Sequence, residues 1–342
     1  LGEWGLLYSA GTLGSAILML LAGGLVDRHS VISSTRWVFF AMLFTILFMI
    51  INPVFWLLPL IILGLRFCGQ GMLHHIPVVF IGREFGVHRG KSISFASMGM
   101  SVSEALLPII FVSIMGFLGW RISWVIVFFL GIVFLLIIEY LLLERQEFGV
   151  NENEIESSQT GMLGKNWTRG NSIRHWVFWA VMVPFLVAPC FGTAFFFHQV
   201  HLVATKGWDL QIFFSLFPIY TASTLLSLFF SGWLVDKINV TVLLPFFLLP
   251  LSLGLILISN ATGYELAIFG FVLIGMTQGM NSTVSGTFWP EFYGTKYLGS
   301  IRSMATAISV FASALSPATQ AQQQANRRAL DSQIEKQKQH RN

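Results

Sequence analysis

Two charged residues stand inside long apolar stretches of the sequence and could take part in chemistry there. Arg66 is the single charge between residues 37 and 82, and Glu104 is the single charge between residues 92 and 119. A charge near the centre of a membrane costs at least about 2.5 kcal/mol, so such residues usually face a cavity or a partner. Arg66 is predicted to bind an anion or to take part in proton coupling, with a buried ion pair or carbonyl contacts as the alternative. Glu104 is either a proton carrier or a structural partner of Arg66.

Polar residues elsewhere extend this candidate site. Gln70 lies four residues after Arg66, which places both side chains on one face of an α-helix. Gln278 and Asn281 belong to a polar stripe on a later helix, which either lines a cavity or joins helices. The predicted substrate or proton-coupling site therefore comprises Arg66, Gln70, Glu104, Gln278 and Asn281.

A third polar group, His198, Gln199 and His201, follows three phenylalanines near the end of an apolar run. Histidine titrates near pH 6.5 and could respond to protons on the outer side. The alternative is an interfacial belt of aromatic and histidine side chains. The sequence offers no metal-ligand spacing, nucleophilic triad or phosphate-binding loop, so we expect no enzymatic activity, no catalytic residue, no metal and no cofactor.

The composition predicts that membrane-spanning helices carry these residues. The 342 residues are 55% hydrophobic and 11% charged, with a mean hydropathy of +0.72, whereas soluble domains have about 25% charged residues. Uncharged runs of about 20 residues match the thickness of a bilayer's hydrocarbon core. Because backbone groups that face lipid must be satisfied within a segment, the runs are helical. The predicted fold class is an all-α polytopic membrane bundle.

The uncharged runs give nine full spans and a tenth that stops early. The run over residues 37–82 is long enough for two spans, and Asn52-Pro53 is its natural break because a proline disfavours helix in the preceding residue. The runs cover residues 4–26, 37–82, 92–119, 122–143, 176–205, 210–235, 238–264, 266–290 and 303–318.

The distribution of Lys and Arg orients these spans. One set of alternate loops has only Arg121 and Lys206, whereas the other has twelve basic residues and is predicted to be cytoplasmic. The net charge of +4 then reflects topology, and nucleic-acid binding is not inferred. The cytoplasmic set comprises Arg28, Arg36, Arg83, Arg89, Lys91, Arg145, Lys165, Arg169, Arg174, Lys237, Lys296 and Arg302.

Two parts of the sequence repeat each other. Residues 23–28, GGLVDR, recur as residues 232–237, GWLVDK, at an offset of 209. Residues 70–72, QGM, recur as residues 278–280 at an offset of 208. Odd-numbered spans match odd-numbered spans, and even-numbered spans match even-numbered ones. The repeat is therefore parallel, with two halves related by an axis along the membrane normal.

The repeat predicts the organisation of the chain. Residues 1–143 form an N-terminal half (spans 2–6), residues 144–175 a polar cytoplasmic linker, and residues 176–318 a C-terminal half (spans 7–11, the last one partial). Residues 319–342 are interpreted as an unrelated or frame-shifted tail, with a native amphipathic helix as the alternative. Since the repeat leaves spans 1 and 12 without a counterpart, the chain is expected to be a fragment of a six-plus-six protein.

The repeated motif resembles the signature of the major facilitator superfamily in the loops after spans 2 and 8. Residues 66–71, RFCGQG, are similar to the arginine motif of span 4, and residues 119–121, GWR, to a feature between spans 5 and 6. The resemblance covers about residues 4–318. Within the superfamily, residues 66–71, 89–92 and 99–108 are most similar to the bacterial branch of monocarboxylate and oxalate–formate carriers.

The resemblance also implies a gate on the cytoplasmic side. Asp27 would hold the positive N-terminal end of a neighbouring helix and pair with Arg83, and Gly23 would allow close helix approach. The alternative is that Asp27 and Arg28 only anchor a helix end at the membrane surface. The predicted gate comprises Gly23, Asp27, Arg28, Arg83, Gly232, Asp236 and Lys237.

The sequence as a whole predicts a secondary active transporter of a small solute, with an organic anion as the favoured class, which works by alternating access with proton coupling or exchange. Its expected partners are the lipid bilayer, the solute and protons as coupling ion, in a monomer that resides in a bacterial cytoplasmic (inner) membrane. A drug–proton antiporter of the same fold is the first alternative. A transport-inactive membrane receptor or scaffold is the second.

Overall fold

The computed structural model describes residues 2–52, 54–147 and 159–312, and within these ranges the regular elements are all helical. The predicted all-α fold class is therefore confirmed. The first helix set comprises α1 (Gly2–Ala22), α2 (Val31–Ile51), α3 (Leu58–Leu65), α4 (Leu73–Glu84), α5 (Arg89–Leu118) and α6 (Trp120–Glu147). A short helix α7 (Arg169–Arg174) precedes the second helix set, which comprises α8 (Trp176–Lys206), α9 (Leu210–Phe214), α10 (Phe217–Ile238), α11 (Val240–Leu243), α12 (Leu249–Asn260), α13 (Tyr264–Tyr293) and α14 (Leu298–Ala312).

Six helical segments of the described chain are long and apolar enough to cross a membrane. They are Ala10–Asp27, Val31–Ile51, Arg89–Leu118, Trp120–Leu141, Leu210–Ile238 and Tyr264–Tyr293. Three shorter apolar helices occupy other predicted spans, namely Trp176–Gly192, Leu249–Asn260 and Leu298–Ala312. The division into two halves and a linker stays a prediction. The predicted tail over residues 319–342 lies outside the described residues.

The structure agrees with the predicted end of one span and differs from the predicted start of another. Helix α2 ends at Ile51, as the break at Asn52-Pro53 predicts, although Pro53 itself lies outside the described residues. The assignment of Arg302 to a cytoplasmic loop is wrong. Helix α14 already begins at Leu298, so Arg302 lies inside it and is only 8% exposed. The predicted span started too late, at residue 303, because the uncharged run was counted only from the residue after Arg302.

A π-helical segment, Arg66–Met72, joins α3 to α4. Its backbone hydrogen bonds reach from residue i to residue i+5, so its turns are wider than those of an α-helix. The α-helical spacing that was expected to align Arg66 with Gln70 therefore does not apply here. Arg66 is half-buried and Gln70 is exposed. π-Helical segments occur often at functional sites.

Small residues let α10 and α13 pack closely. The Ser223 hydroxyl donates to the carbonyl oxygen of Val272, and that of Ser227 to the carbonyl oxygen of Met276, both at 2.6 Å. A Cβ added at Gly279 would lie 2.6 Å from the carbonyl oxygen of Thr224. Without a hydrophobic driving force between helices in lipid, such close backbone approach and interhelical hydrogen bonds provide the attraction.

Helix α5 of the first set packs against α10 and α13 of the second set. The hydroxyl of Thr283 on α13 lies 2.9 Å from that of Ser94 on α5 and accepts from Ser231 on α10 at 2.9 Å. The three hydroxyls thus join both helix sets at a buried point.

We predict that Gly279→Ala lowers the thermal unfolding midpoint of the purified protein in detergent. The added methyl group meets backbone atoms of α10, which cannot rotate away, and such overpacking costs about 1–3 kcal/mol. The matched control is Gly99→Ala, also inside a helix but with nothing within 4 Å of the new Cβ. An equal effect of both substitutions on the midpoint would contradict the packing argument.

Candidate functional site

The carboxylate of Asp27 holds the N-terminus of α14. Its Oδ1 accepts from the backbone N–H of Gly299 at 2.7 Å, and its Oδ2 accepts from the N–H and the hydroxyl of Ser300 at 2.7 and 2.6 Å. The Arg83 guanidinium donates to Oδ1 as well. It also donates to the carbonyl oxygens of Val26 and Thr295. A carboxylate is favoured at this place because the first turn of a helix has free N–H groups and a positive dipole end.

The carboxylate of Asp236 holds the N-terminus of α5 in the same way. Its Oδ1 accepts from the N–H of Gly90 at 2.7 Å and its Oδ2 from the N–H of Lys91 at 3.1 Å. The two carboxylates and the helix N-termini they bind form what we call the clamps. Each clamp joins one helix set to the other, since Asp27 binds the second set and Asp236 the first.

The clamps follow the sequence repeat residue by residue. Asp236 lies 209 positions after Asp27, and Gly299 lies 209 positions after Gly90. A Cβ at Gly23 would collide with Ser303, and a Cβ at Gly232 would collide with Ser94, again 209 positions apart. Glycine is required at both places because the helices cross too closely for a side chain.

The two clamps differ in their basic residues. Arg83 supports Asp27, whereas Lys237 turns away from Asp236 and stacks on the ring of Trp233, with its Nζ 4.1 Å from the ring centroid. Arg28 is exposed, which agrees with an anchoring role at the surface. The Asp27 clamp is therefore the more strongly bonded of the two.

The segment over residues 159–175 crosses the same end of the bundle. Gln159 accepts from Arg89 through its side chain at 2.7 Å and from the N–H of Thr295 through its carbonyl at 3.1 Å. Arg169 donates to the carbonyl oxygen of Leu20 at 2.6 Å. A Cβ at Gly161 would collide with the backbone around Tyr293. This segment thus touches α1, α5 and the α13–α14 turn.

A large apolar cluster packs beside the clamps and includes Val26 and Leu298, which directly precede the clamp residues Asp27 and Gly299. Its buried members come from both helix sets, for example Val26, Ile76 and Val79 from the first set and Phe288 and Leu298 from the second. Val79, one turn before Arg83, is fully buried. This cluster and the clamps close the bundle at the end that carries Asp27.

A polar pocket of about 200 Å³ lies farther inside, between α4, α5, α13 and α14. Glu104 lines it from α5, 15 residues beyond Arg89, which is about 22 Å along an ideal helix. Arg302 enters from α14, and among the described residues its Nη1 has no hydrogen-bond partner. The other polar lining residues are His74, Ser97, Ser101, Gln278, Asn281, Ser282 and Ser285.

A larger cavity of about 1060 Å³ continues from the pocket away from the clamps. The two share Ser101, Glu104 and Gln278. The larger cavity is mostly apolar, with Leu106, Ile109, Pro189, Phe214 and Phe217 among its lining residues. The clamped end is therefore closed, and the interior space widens toward the opposite end.

The structure brings three of the five predicted site residues into one pocket, namely Glu104, Gln278 and Asn281. Gln70 lines a neighbouring cavity of about 260 Å³, together with His74. Arg66 lies elsewhere: its guanidinium donates to the Tyr8 hydroxyl and lies over the Tyr8 ring, 4.8 Å from the centroid. Tyr8, and not Glu104, is thus the contact that the structure gives Arg66.

The residues predicted to contact the outer side lie outside the two cavities that Glu104 lines. These residues are His198, Gln199 and His201, near the C-terminal end of α8. His198 and His201 are exposed and Gln199 is half-buried.

Sequence reasoning missed Arg302 as a pocket residue. The repeat contained the signal that would have found it, since Gly299 matches Gly90 and α5 begins at Arg89. The same offset places the start of α14 at residue 298 and Arg302 one turn inside the helix.

Comparison with known proteins gives a family and a fold. The family model described as Major Facilitator Superfamily matches residues 1–317. No curated protein matches the sequence. The chain is similar to the crystal structure of a bacterial homologue of the iron transporter ferroportin in the outward-facing state, with 15% identity, a TM-score of 0.63, and coverage of 91% of this chain and 81% of that one. The same homologue with soaked iron gives 15% identity, a TM-score of 0.57, and coverage of 91% and 80%. At this identity the likeness shows the fold alone.

We predict that Asp27→Asn opens the clamped end. Asparagine keeps the shape of the side chain but replaces one acceptor oxygen by an NH₂ donor. This donor would meet the N–H groups of α14 or of Arg83, which are donors too, so some of the hydrogen bonds are lost. The reporter is a cysteine at Val79, in a protein whose Cys68 and Cys190 are alanine, probed with a membrane-impermeant thiol reagent applied from the clamped side. Labelling should be several-fold faster in the variant.

The matched control for this prediction is Asp209→Asn. Asp209 also accepts from the first N–H groups of a helix, α9, at 2.8 and 3.0 Å, but in the described part of the chain its hydrogen bonds stay within the second set. Labelling at residue 79 should stay at the reference rate in this variant. Equal rates for the Asp27 variant and the reference protein would contradict the role of the clamp.

Proposed function

The chain belongs to the major facilitator superfamily, as the match over residues 1–317 shows, and from this premise we propose that it is a secondary transporter of a small organic anion that works by alternating access. The observation that carries the proposal is a single interior space that is closed at one end and widens toward the other. Membership of the superfamily confirms the predicted family. The monocarboxylate and oxalate–formate branch stays a prediction.

The charges at the closed end support its assignment to the cytoplasm. Arg28, Lys91, Arg174, Lys237 and Lys296 are exposed near this end, and cytoplasmic loops carry the excess of Lys and Arg. With this orientation, the structure corresponds to an outward-facing state. Solute then enters the larger cavity from outside and reaches the polar pocket near the middle of the bundle.

The clamps supply the conformational switch in this proposal. To face the cytoplasm, the two helix sets must release both helix N-termini from Asp27 and Asp236 and separate the apolar cluster behind them. The carboxylates and the N–H groups released at the clamps then form hydrogen bonds with water. Parallel repeats that rock about a central site are the general solution for such transporters.

The charge in the polar pocket supports an anion as the solute. Arg302 provides a guanidinium, which suits a carboxylate better than a metal ion or an organic cation. Among the residues the structure describes, no three His, Cys, Asp or Glu side chains converge in the manner of a metal site. The soaked iron belongs to the crystals of the similar homologue, and it supplies no argument for a metal as the solute of this chain.

Glu104 is the proposed proton carrier. It is the carboxyl group of the polar pocket, and it also faces the larger cavity, so it can exchange protons with the outer side in this state. Carboxyl groups inside membrane-spanning helices commonly mark proton pathways.

We predict that Glu104→Gln abolishes transport driven by a pH gradient but retains exchange of solute for solute. Glutamine preserves the shape and hydrogen bonding of the side chain but cannot titrate. The measurement is the uptake of radiolabelled lactate, succinate, oxalate, 4-phenylbutyrate and Mn²⁺ and of fluorescent ethidium into proteoliposomes, with a pH gradient for driven transport or with unlabelled solute inside for exchange. The matched control is Glu265→Gln, an exposed carboxylate at the start of α13.

Uptake of ethidium alone in this screen would favour the drug–proton antiporter, and uptake of Mn²⁺ alone a metal transporter. Carboxylate uptake driven by a pH gradient that persists in the Glu104 variant would contradict the coupling role. No uptake of any of the six probes, by a protein that remains folded, would favour the receptor or scaffold.

We predict that Arg66→Ala abolishes carboxylate uptake, because Arg66 is the proposed site for solute or proton coupling. Its contact with Tyr8 offers a separate test, because Tyr8→Phe removes only the hydroxyl that Arg66 binds. Loss of uptake in the Arg66 variant with full uptake in the Tyr8 variant supports a direct role of Arg66. Equal loss in both variants contradicts that role and assigns Arg66 to the contact between α1 and the π-helical segment.

A further inference from the structure

Arg302 stands in an unusual electrostatic position. Its side chain is 8% exposed, its Nη1 is unpartnered among the described residues, and it lines the polar pocket. Buried charges are normally paired or fully hydrogen-bonded, because taking an ion out of water is strongly unfavourable. The described salt bridges do not include Arg302. A ligand with a negative charge would satisfy this guanidinium.

The surroundings of Arg302 suit the head group of a carboxylate. Asn281 lies in the same pocket, and its Nδ2 group can donate to a carboxylate, whereas its Oδ1, which is buried without a partner among the described residues, can only accept. Ser282 adds a hydroxyl donor from the same helix. A pocket of about 200 Å³ has room for roughly six or seven waters at about 30 Å³ each. It therefore accommodates a charged group and a few further atoms.

The remainder of such a ligand must extend into the larger cavity. That cavity has about 1060 Å³ and presents mostly apolar lining residues such as Phe214 and Phe217. Glu104 lies where the two spaces meet. A second carboxylate on the ligand would lie beside this carboxyl group, and like charges repel strongly at a site of low dielectric.

We propose that Arg302 anchors the single carboxylate of a substrate whose remaining atoms form an apolar body in the larger cavity. The proposal rests on the proposed function and narrows it to amphipathic monocarboxylates. Arg302 binds the carboxylate, and Asn281 and Ser282 complete its hydrogen bonds. Glu104 excludes dicarboxylates. The aromatic lining of the larger cavity binds the apolar body.

The test is ligand binding to the full chain in lipid nanodiscs, measured by isothermal titration calorimetry with empty nanodiscs as blank. The probes are 4-phenylbutyrate, succinate, 4-phenylbutylamine and phenylalanine. We expect 4-phenylbutyrate to bind, with at least tenfold weaker binding of the other three. Failure of 4-phenylbutyrate to bind, or tighter binding of succinate, the amine or the zwitterion, overturns the proposal.

Variants assign the binding to Arg302. Arg302→Gln should weaken the binding of 4-phenylbutyrate at least tenfold, whereas Arg302→Lys should retain part of it. The control Arg174→Gln removes an exposed arginine on α7 and should leave the affinity unchanged. Unchanged affinity of the Arg302→Gln variant overturns the proposal.

A second variant guards against misfolding of the Arg302 substitutions. Asn281→Asp places a carboxylate of the same shape beside Arg302, so it should compete with the ligand and weaken binding at least tenfold. Full binding by this variant overturns the proposal. Binding and transport also separate the two proposals. Arg302-dependent binding without any carboxylate uptake contradicts only the transport function, whereas carboxylate uptake that survives Arg302→Gln contradicts only the Arg302 site.

Discussion

The structure depends on one interaction that occurs twice: a carboxylate that binds the N-terminus of a helix in the other helix set. Asp27 binds α14 and Asp236 binds α5, and each satisfies N–H groups that have no partner within their own helix. Because every bond of this kind crosses between the sets, both clamps must release before the sets can separate. Gly23 and Gly232 are needed for the same reason, since the helices they belong to must approach closely.

The clamps and the polar pocket share a helix. Ser300, bound by Asp27, and Arg302, in the pocket, are two residues apart on α14. The proposed ligand at Arg302 would therefore act on the helix whose N-terminus Asp27 holds. The apolar cluster packs beside the clamps, and the charged clamp residues and the polar pocket lie at separate places in the bundle. This separation allows one bundle to be both sealed and able to bind a polar solute.

Much of this architecture could be predicted from residue types and their spacing. Uncharged runs located most of the helices because lipid excludes unpaired charges, and the family resemblance implied a carboxylate at a helix N-terminus with Arg83 beside it. The pocket was predicted in part, through Glu104, Gln278 and Asn281. Arg302 was missed because it directly precedes an uncharged run, and a basic residue at that position was assigned to the loop before the helix. The π-helical segment was missed because hydrogen-bond register is set by packing around Arg66, and no residue type encodes it.

The sequence by itself determined the all-α class, the internal repeat and the residue types available at the clamps, because these follow from local hydrophobicity and from short motifs. Only the tertiary structure decided which helix N-terminus each carboxylate binds, which end of the bundle is closed, and which cation faces the pocket. The physical reason is that these features depend on contacts between residues up to 273 positions apart, such as Asp27 and Ser300. Such contacts are selected by the packing of whole helices, which local sequence does not specify.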